Sequence, residues 1–282
     1  MKFLLLSLSL IATSTHAAPF AIYGEDNRSD VFESDNHLMV GIAKSTAAMI
    51  AKENITINGV EAILKGRSLG DFFKLCTDVP FRQQPMVANC SGTLVAPDTI
   101  LTASHCVGYG KADCNNYRWV FDYKVSRSTQ GSVTVDKSNV YSCKEITYSK
   151  MDLFKGHDHA LIKLDRAVTD RSPVTMTKSA ELEAVGTPIA MIGHPSGLPT
   201  KITDGATILK YEDGSYVTNL DAFQINSGSG VFHGKTGELI GVLSSGLRDY
   251  DGASPCSRPV QYTDEQGREK VVPIQLMQTS KN

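Results

Sequence analysis

Apolar residues along this chain come in short bursts separated by polar turns. Ile55-Thr56-Ile57 and Val60 to Leu64 carry β-branched residues on either side of Asn58-Gly59, a dipeptide that favours a hairpin turn. From Cys90 the pattern sharpens. Ser91-Gly92-Thr93-Leu94-Val95, a Pro97-Asp98 turn and Ile100-Leu101-Thr102-Ala103 predict two strands that deliver His105 at a strand end. Tyr117 to Tyr123, Ser132 to Val135, Val140 to Ile146 and Ala160 to Leu164 continue the series. The polar connector Asp170-Arg171-Ser172-Pro173 then predicts a boundary between a first lobe, 46–168, and a second, 169–282. The second lobe repeats the pattern at Thr187 to Ile192, Ala206 to Leu209, Tyr216 to Leu220, Gly230 to Phe232 and Leu239 to Leu243. Many short strands with regular turns indicate an all-β barrel or sandwich. The run Thr46 to Ala51 is short enough to be a first strand or a helical turn. Residues 18–45 are polar and irregular, as expected of a pro-segment or of an arm lying over the lobes.

Composition narrows the functional classes. With 28 Lys and Arg against 30 Asp and Glu, the formal net charge is -2, which gives no electrostatic case for nucleic acid or an anionic membrane. Met1-Lys2 followed by an apolar run from Phe3 to Ala12, then Thr15-His16-Ala17, predicts a signal peptide over 1–17. That run is too short to span a bilayer, so a secreted or periplasmic protein is expected, off the membrane after cleavage. Six cysteines in an exported chain are most simply three disulfides, with 15 pairings open. No CxxC or other metal-ligand spacing appears.

Three segments carry candidate chemistry. Gln224-Ile225-Asn226-Ser227-Gly228-Ser229-Gly230-Val231-Phe232 reads as a tight turn running into a strand, with one hydroxyl at the bend. A serine hydroxyl is a poor nucleophile without a base in hydrogen-bonding reach. Leu101-Thr102-Ala103-Ser104-His105-Cys106 offers an imidazole, and Asp158-His159-Ala160-Leu161-Ile162 a carboxylate ahead of a buried run. In the order His, Asp, Ser these segments resemble the TA-x-HC, D-x-AL and NSGS blocks of trypsin-like serine endopeptidases. The bacterial V8-like branch, whose serine block usually reads GGNSGSPVF, is the most similar. The resemblance covers roughly Cys76 to Gly246.

The resemblance implies two six-stranded antiparallel β-barrels with the site in the cleft between them. It makes His105 the general base, Asp158 the residue that orients it and Ser227 the nucleophile. The N–H groups of Ile225 and Ser227 become the oxyanion hole. Ser229 is then structural, Asp152 and Asp165 are rivals of Asp158, and His157 and His159 have no role. Cys90 pairs with Cys106; Cys114 with Cys143 is expected as a second pair around a hairpin-like insertion, and Cys76 with Cys256 is what remains. Ser244 is expected to hydrogen-bond Asp158, with Ser245 and Gly246 lining the substrate pocket. Asp221, six residues before Ser227, aligns with the acid at the floor of trypsin's pocket and implies cleavage after Arg or Lys. Leu243 stands where glutamyl endopeptidases of the family carry a histidine. No metal and no organic cofactor is implied, and the expected partners are protein or peptide substrates of a monomer.

Departures from the family leave alternatives open. Ile225 replaces a glycine at a backbone position that needs φ > 0, which a β-branched residue resists. Either its peptide is flipped and the oxyanion hole incomplete, or strain is tolerated there. A weakly active, peptide- or partner-binding homologue is therefore one alternative, and a glutamyl endopeptidase another. Asn226 replaces the aspartate that pairs with a newly freed N-terminus in trypsin-type zymogens, so activation of that kind is not expected.

Overall fold

The strands close on themselves twice. The computed structural model describes residues 22–108, 111–127, 131–152 and 155–278; the predicted signal peptide and residues 18–21 of the arm lie outside them. In the first lobe six strands pair into a closed barrel: β1 (Thr46–Ala51), β2 (Ala88–Ala96), β3 (Thr99–Thr102), β4 (Tyr117–Phe121), β5 (Val140–Asp152) and β6 (His157–Leu164). Around the barrel the order is β1-β2-β3-β6-β5-β4, with every pairing antiparallel. The second barrel uses β7 (Pro188–Gly193), β8 (Lys201–Glu212), β9 (Ser215–Thr218), β10 (Gly230–His233), β11 (Leu239–Ser245) and β12 (Glu269–Pro273). Its order, β7-β8-β9-β12-β11-β10, is the same circuit repeated.

Alternation explains the interiors. Ala47 and Met49, Trp119 and Phe121, and Ala160, Ile162 and Leu164 all point into the first barrel, as residues two apart on a strand must. The intervening Ala48, Ile50 and Val120 are buried as well, under the hairpin Ile55–Asn58/Glu61–Lys65 and the strand Ser132–Asp136. Thr46–Ala51 is thus a strand covered on both faces, which is why its sequence does not alternate. Ile189, Met191, Ile208, Val231 and Leu243 fill the second barrel. Its outer residues Ile192, Phe232 and Val242 meet Leu101 of the first barrel, so the two barrels pack on each other beside β3.

Three disulfides brace the arrangement: Cys90–Cys106, Cys114–Cys143 and Cys76–Cys256. Cys114 lies in a short helix, Lys111–Asn116, and the stretch it brackets with Cys143 carries β4, which pairs antiparallel with the start of β5. The described part of the arm is more ordered than its polar sequence suggests. Ile22–Tyr23 runs parallel to Gln261–Tyr262, and Arg28–Asp30 adds a strand to β8. His37–Ala43 forms a helix capped by Asn36, with Met39 buried against the second barrel. No helix among the described residues is long and apolar enough to cross a membrane.

Candidate active site

The barrels bring the three predicted segments to one edge of their contact. His105 sits in the 3-10 turn Ser104–Val107 just after β3, and the Cys90–Cys106 bridge ties that turn back to β2. Asp158 is the second residue of β6. Ser227 lies in the turn that enters β10, and Ser244 near the end of β11. Gly228 allows the serine turn to close on the first barrel: at φ +86°, a side-chain carbon there would stand 2.1 Å from the Ser91 carbonyl oxygen and 3.0 Å from Ala103 N. The Ser227 carbonyl accepts the Ser91 N–H at 2.9 Å and lies 3.7 Å from Cys106 Sγ, next in sequence to His105.

A continuous hydrogen-bonded line runs through the carboxylate. His105 Nδ1 is 2.7 Å from Asp158 Oδ2, and the His105 backbone N–H donates to Oδ1 at 3.0 Å. Ser244 Oγ donates to Oδ2 at 2.6 Å from the second barrel. Burial pushes the Asp158 carboxyl up, but the donors from His105 and Ser244 outweigh it and hold the group below its ordinary value. The Asp158 side chain is 1% exposed and that of His105 36%, so the acid is sealed while the imidazole faces outward. The rivals are elsewhere: Asp152 and Asp165 are partly exposed and pair with Lys155 and Arg166. His159 is buried against Tyr148, and burial lowers it to about 4. Cys90, His105 and Cys106 are close enough to suggest a metal cluster, but both sulfurs are spent in a disulfide and are not thiolate ligands.

Ile225 keeps the glycine-like backbone, with φ +71°. The carbonyl before it, of Gln224, accepts the Ser196 N–H at 2.7 Å. Ser229 is structural: its Oγ lies 2.9 Å from Asn226 Oδ1, and both side chains are fully buried.

The structure corrects the expectation for Asp221. Its two oxygens accept the backbone N–H groups of Tyr23 and Asn27, each at 2.7 Å. The carboxyl is committed to the arm and is not a free acid at the floor of a pocket. Ser245 and Gly246 lie exposed at the end of β11. Behind Gly246 stands Glu269, wholly buried, taking the Tyr23 hydroxyl at 3.0 Å; a side-chain carbon on Gly246 would fall 1.7 Å from Glu269 Oε2. Sequence reasoning missed this carboxyl, because nothing in Glu269-Lys270-Val271 distinguishes it from an ordinary surface strand residue.

Two antiparallel barrels with His and Asp on one and Ser on the other define the two-barrel class of serine peptidase scaffolds. The trypsin-like peptidase domain matches residues 90–242, and the chain belongs to that family. Snake venom serine protease 3 of Protobothrops jerdonii is 30% identical over 118 residues, 40% of this chain; the match spans only 42% of that relative's length. Among solved structures, a Glu endopeptidase in complex with MPD superposes with a TM-score of 0.53 at 18% identity, over 92% of this chain and 99% of its own. The VesB protease of Vibrio cholerae gives 0.52 at 13% identity, over 90% and 66%. At these identities the structural likeness concerns the fold.

Proposed function

We propose that the protein is an exported serine endopeptidase working through an acyl-enzyme. The observation that carries this is the line Ser244–Asp158–His105, drawn from both barrels and ending beside the turn of Ser227. In that role Ser227 Oγ attacks the peptide carbonyl carbon while its proton passes to His105 Nε2. Asp158 holds Nδ1–H and stabilises the imidazolium. The carbonyl oxygen becomes an oxyanion held by the N–H groups of Ser227 and Ile225. Collapse breaks the C–N bond, and the amine leaves with the proton from His105. Water, deprotonated by His105, then releases the acid and regenerates Ser227. The positive φ of Ile225 supports a complete oxyanion hole over a flipped peptide. Three disulfides support an oxidising, extracytoplasmic location.

The preferred residue before the scissile bond is Arg or Lys; Leu243, standing where glutamyl endopeptidases of the family carry a histidine, supports this over a glutamyl preference. A glutamyl preference draws support from the fold of the Glu endopeptidase neighbour. A fluorophosphonate probe tests the assignment: it should label the mature protein and fail to label Ser227→Ala. No labelling of the parent from mildly acidic to alkaline pH would sink the peptidase proposal.

A further inference from the structure

The strained residue of the serine turn is gripped from the N-terminal arm. Ile225 holds φ +71°, a conformation that persists only where the surroundings over-determine it. Two residues before it, Phe223 is buried, and its carbonyl accepts the Asn226 N–H at 3.1 Å, closing the turn that contains Ile225. Against the Phe223 ring lies Arg28: its guanidinium carbon stands 3.8 Å from the ring centre, with Phe81 at 5.3 Å. A planar guanidinium on an aromatic face at this distance is an attractive stack.

The guanidinium is itself fixed in orientation. Its Nε and Nη2 donate to the two oxygens of Asp26, each at 2.8 Å, and the Arg28 backbone N–H donates to Asp26 Oδ1 at 3.2 Å. The same stretch of arm pins the start of the segment, since Asp221 accepts the N–H groups of Tyr23 and Asn27. Arg28 is buried, and its Nη1 has no hydrogen-bond partner among the described residues. A buried cation with an idle donor is a costly way to fasten an arm, and an exposed Arg28–Asp26 pair would fasten it as well. What burial adds is the contact with Phe223. Asn226 offers no carboxylate to a freed amino terminus, and its side chain is turned to Ser229.

We infer that Arg28 is a positioning residue: its guanidinium, oriented by Asp26 and laid on Phe223, holds the turn from Phe223 to Asn226 in the form that directs the Ile225 N–H at the oxyanion. The inference rests on Ser227 being the nucleophile and on Ile225 contributing to the oxyanion hole. The arm as far as Arg28 then belongs to the working enzyme, and processing that removed it would cost activity.

Four proteins decide the matter: the parent, Arg28→Ala, Ile225→Gly and the double variant. Each is assayed on a peptide that the parent cleaves, with kcat counted per Ser227 labelled by fluorophosphonate, so that unfolded chains do not enter. Arg28→Ala should lower kcat at least about tenfold, part of the roughly 10²–10³ that an oxyanion donor is worth, with KM moved less than about twofold. Glycine takes a positive φ unaided, so in the Ile225→Gly background the same substitution should cost less than about threefold. Equal losses in the two backgrounds, no loss in either, or a loss confined to KM overturns the inference and leaves the peptidase assignment standing. Should Arg28→Ala fail to fold, Phe223→Leu takes its place with the same expectations, because it keeps apolar bulk and removes the ring face. A parent that neither labels nor cleaves removes both proposals together.

Discussion

Ile225 shows how one side chain sets the geometry of the serine turn. A non-glycine residue in the left-handed region costs roughly 1–2 kcal/mol, and Ile225 sits there at φ +71°. Its side chain packs on the cluster containing Val87, Ala88 and Tyr123 of the first lobe, and the Ser196 N–H fixes the carbonyl of the preceding peptide. Strain in the turn is thus held by a contact across the lobes. Ile225→Gly removes the contact and the strain; Ile225→Ala removes the contact and keeps the strain. The Gly variant should therefore be the more stable of the two by about 1 kcal/mol, the reverse of the usual order in regular structure. Urea denaturation of the pair checks this, and an Ala variant as stable as the Gly one would exclude the positive φ. The sequence showed the conflict at Ile225 plainly. It did not show the resolution, because the residues that receive the side chain are distant in the chain and belong to the other barrel.

The arm is the element least legible in the sequence. Its strands are two and three residues long, too short for any alternation to register. It is held instead by individual polar contacts to residues far away in the chain. Tyr23 N–H and Asn27 N–H both end on Asp221, and Lys201 joins Asp30 and Gln84 beneath it. Asp221 looked like a pocket acid because its offset from Ser227 matched trypsin, but an offset along the chain does not say which way a carboxyl turns. Asp221→Ala leaves two backbone donors without an acceptor, each costing roughly 1–3 kcal/mol when buried. The expected outcome is a loss of about 2–4 kcal/mol, with amide exchange over residues 22–30 speeding up ahead of the barrels. Exchange that rises uniformly through the molecule would mean that Asp221 supports the second barrel and not the arm. The barrels themselves were readable, since their interior residues recur every second position in β4 and β6. Their shared strand order was not, because the two circuits carry no repeated sequence.

At the scale of the whole molecule, buried titrating groups divide into sets that pull stability in opposite directions. Asp221 and Asp249 are raised to about 7 by burial, and Glu269 is raised well above its ordinary value for the same reason. Between about pH 4 and 7 the folded chain keeps protons on the two aspartates that the unfolded chain has released. Their contribution is therefore complete below about pH 4 and is lost as pH rises through about 7. His159 and His194 are lowered by burial to about 4 and about 3. They act in reverse, since the unfolded chain binds protons that the folded chain refuses, and stability recovers as pH rises towards about 6.5. Asp158, held below its ordinary value, likewise contributes above the unfolded carboxyl range and loses that contribution in acid. The opposing slopes mask one another in the parent, so a single substitution isolates one of them better than a melting curve of the parent does. Asp249→Asn does not titrate, and its Tm minus the parental Tm should climb from pH 5 to pH 8 as the parent loses the Asp249 contribution. A shift of three pKa units corresponds to a ceiling of about 4 kcal/mol, and even a third of that moves Tm by about 3–5 °C in a chain of this size. Differential scanning calorimetry across that range decides the matter. A difference in Tm that stays constant with pH would mean that Asp249 is ionised in the fold throughout, with a cation of the protein itself already beside its Oδ1.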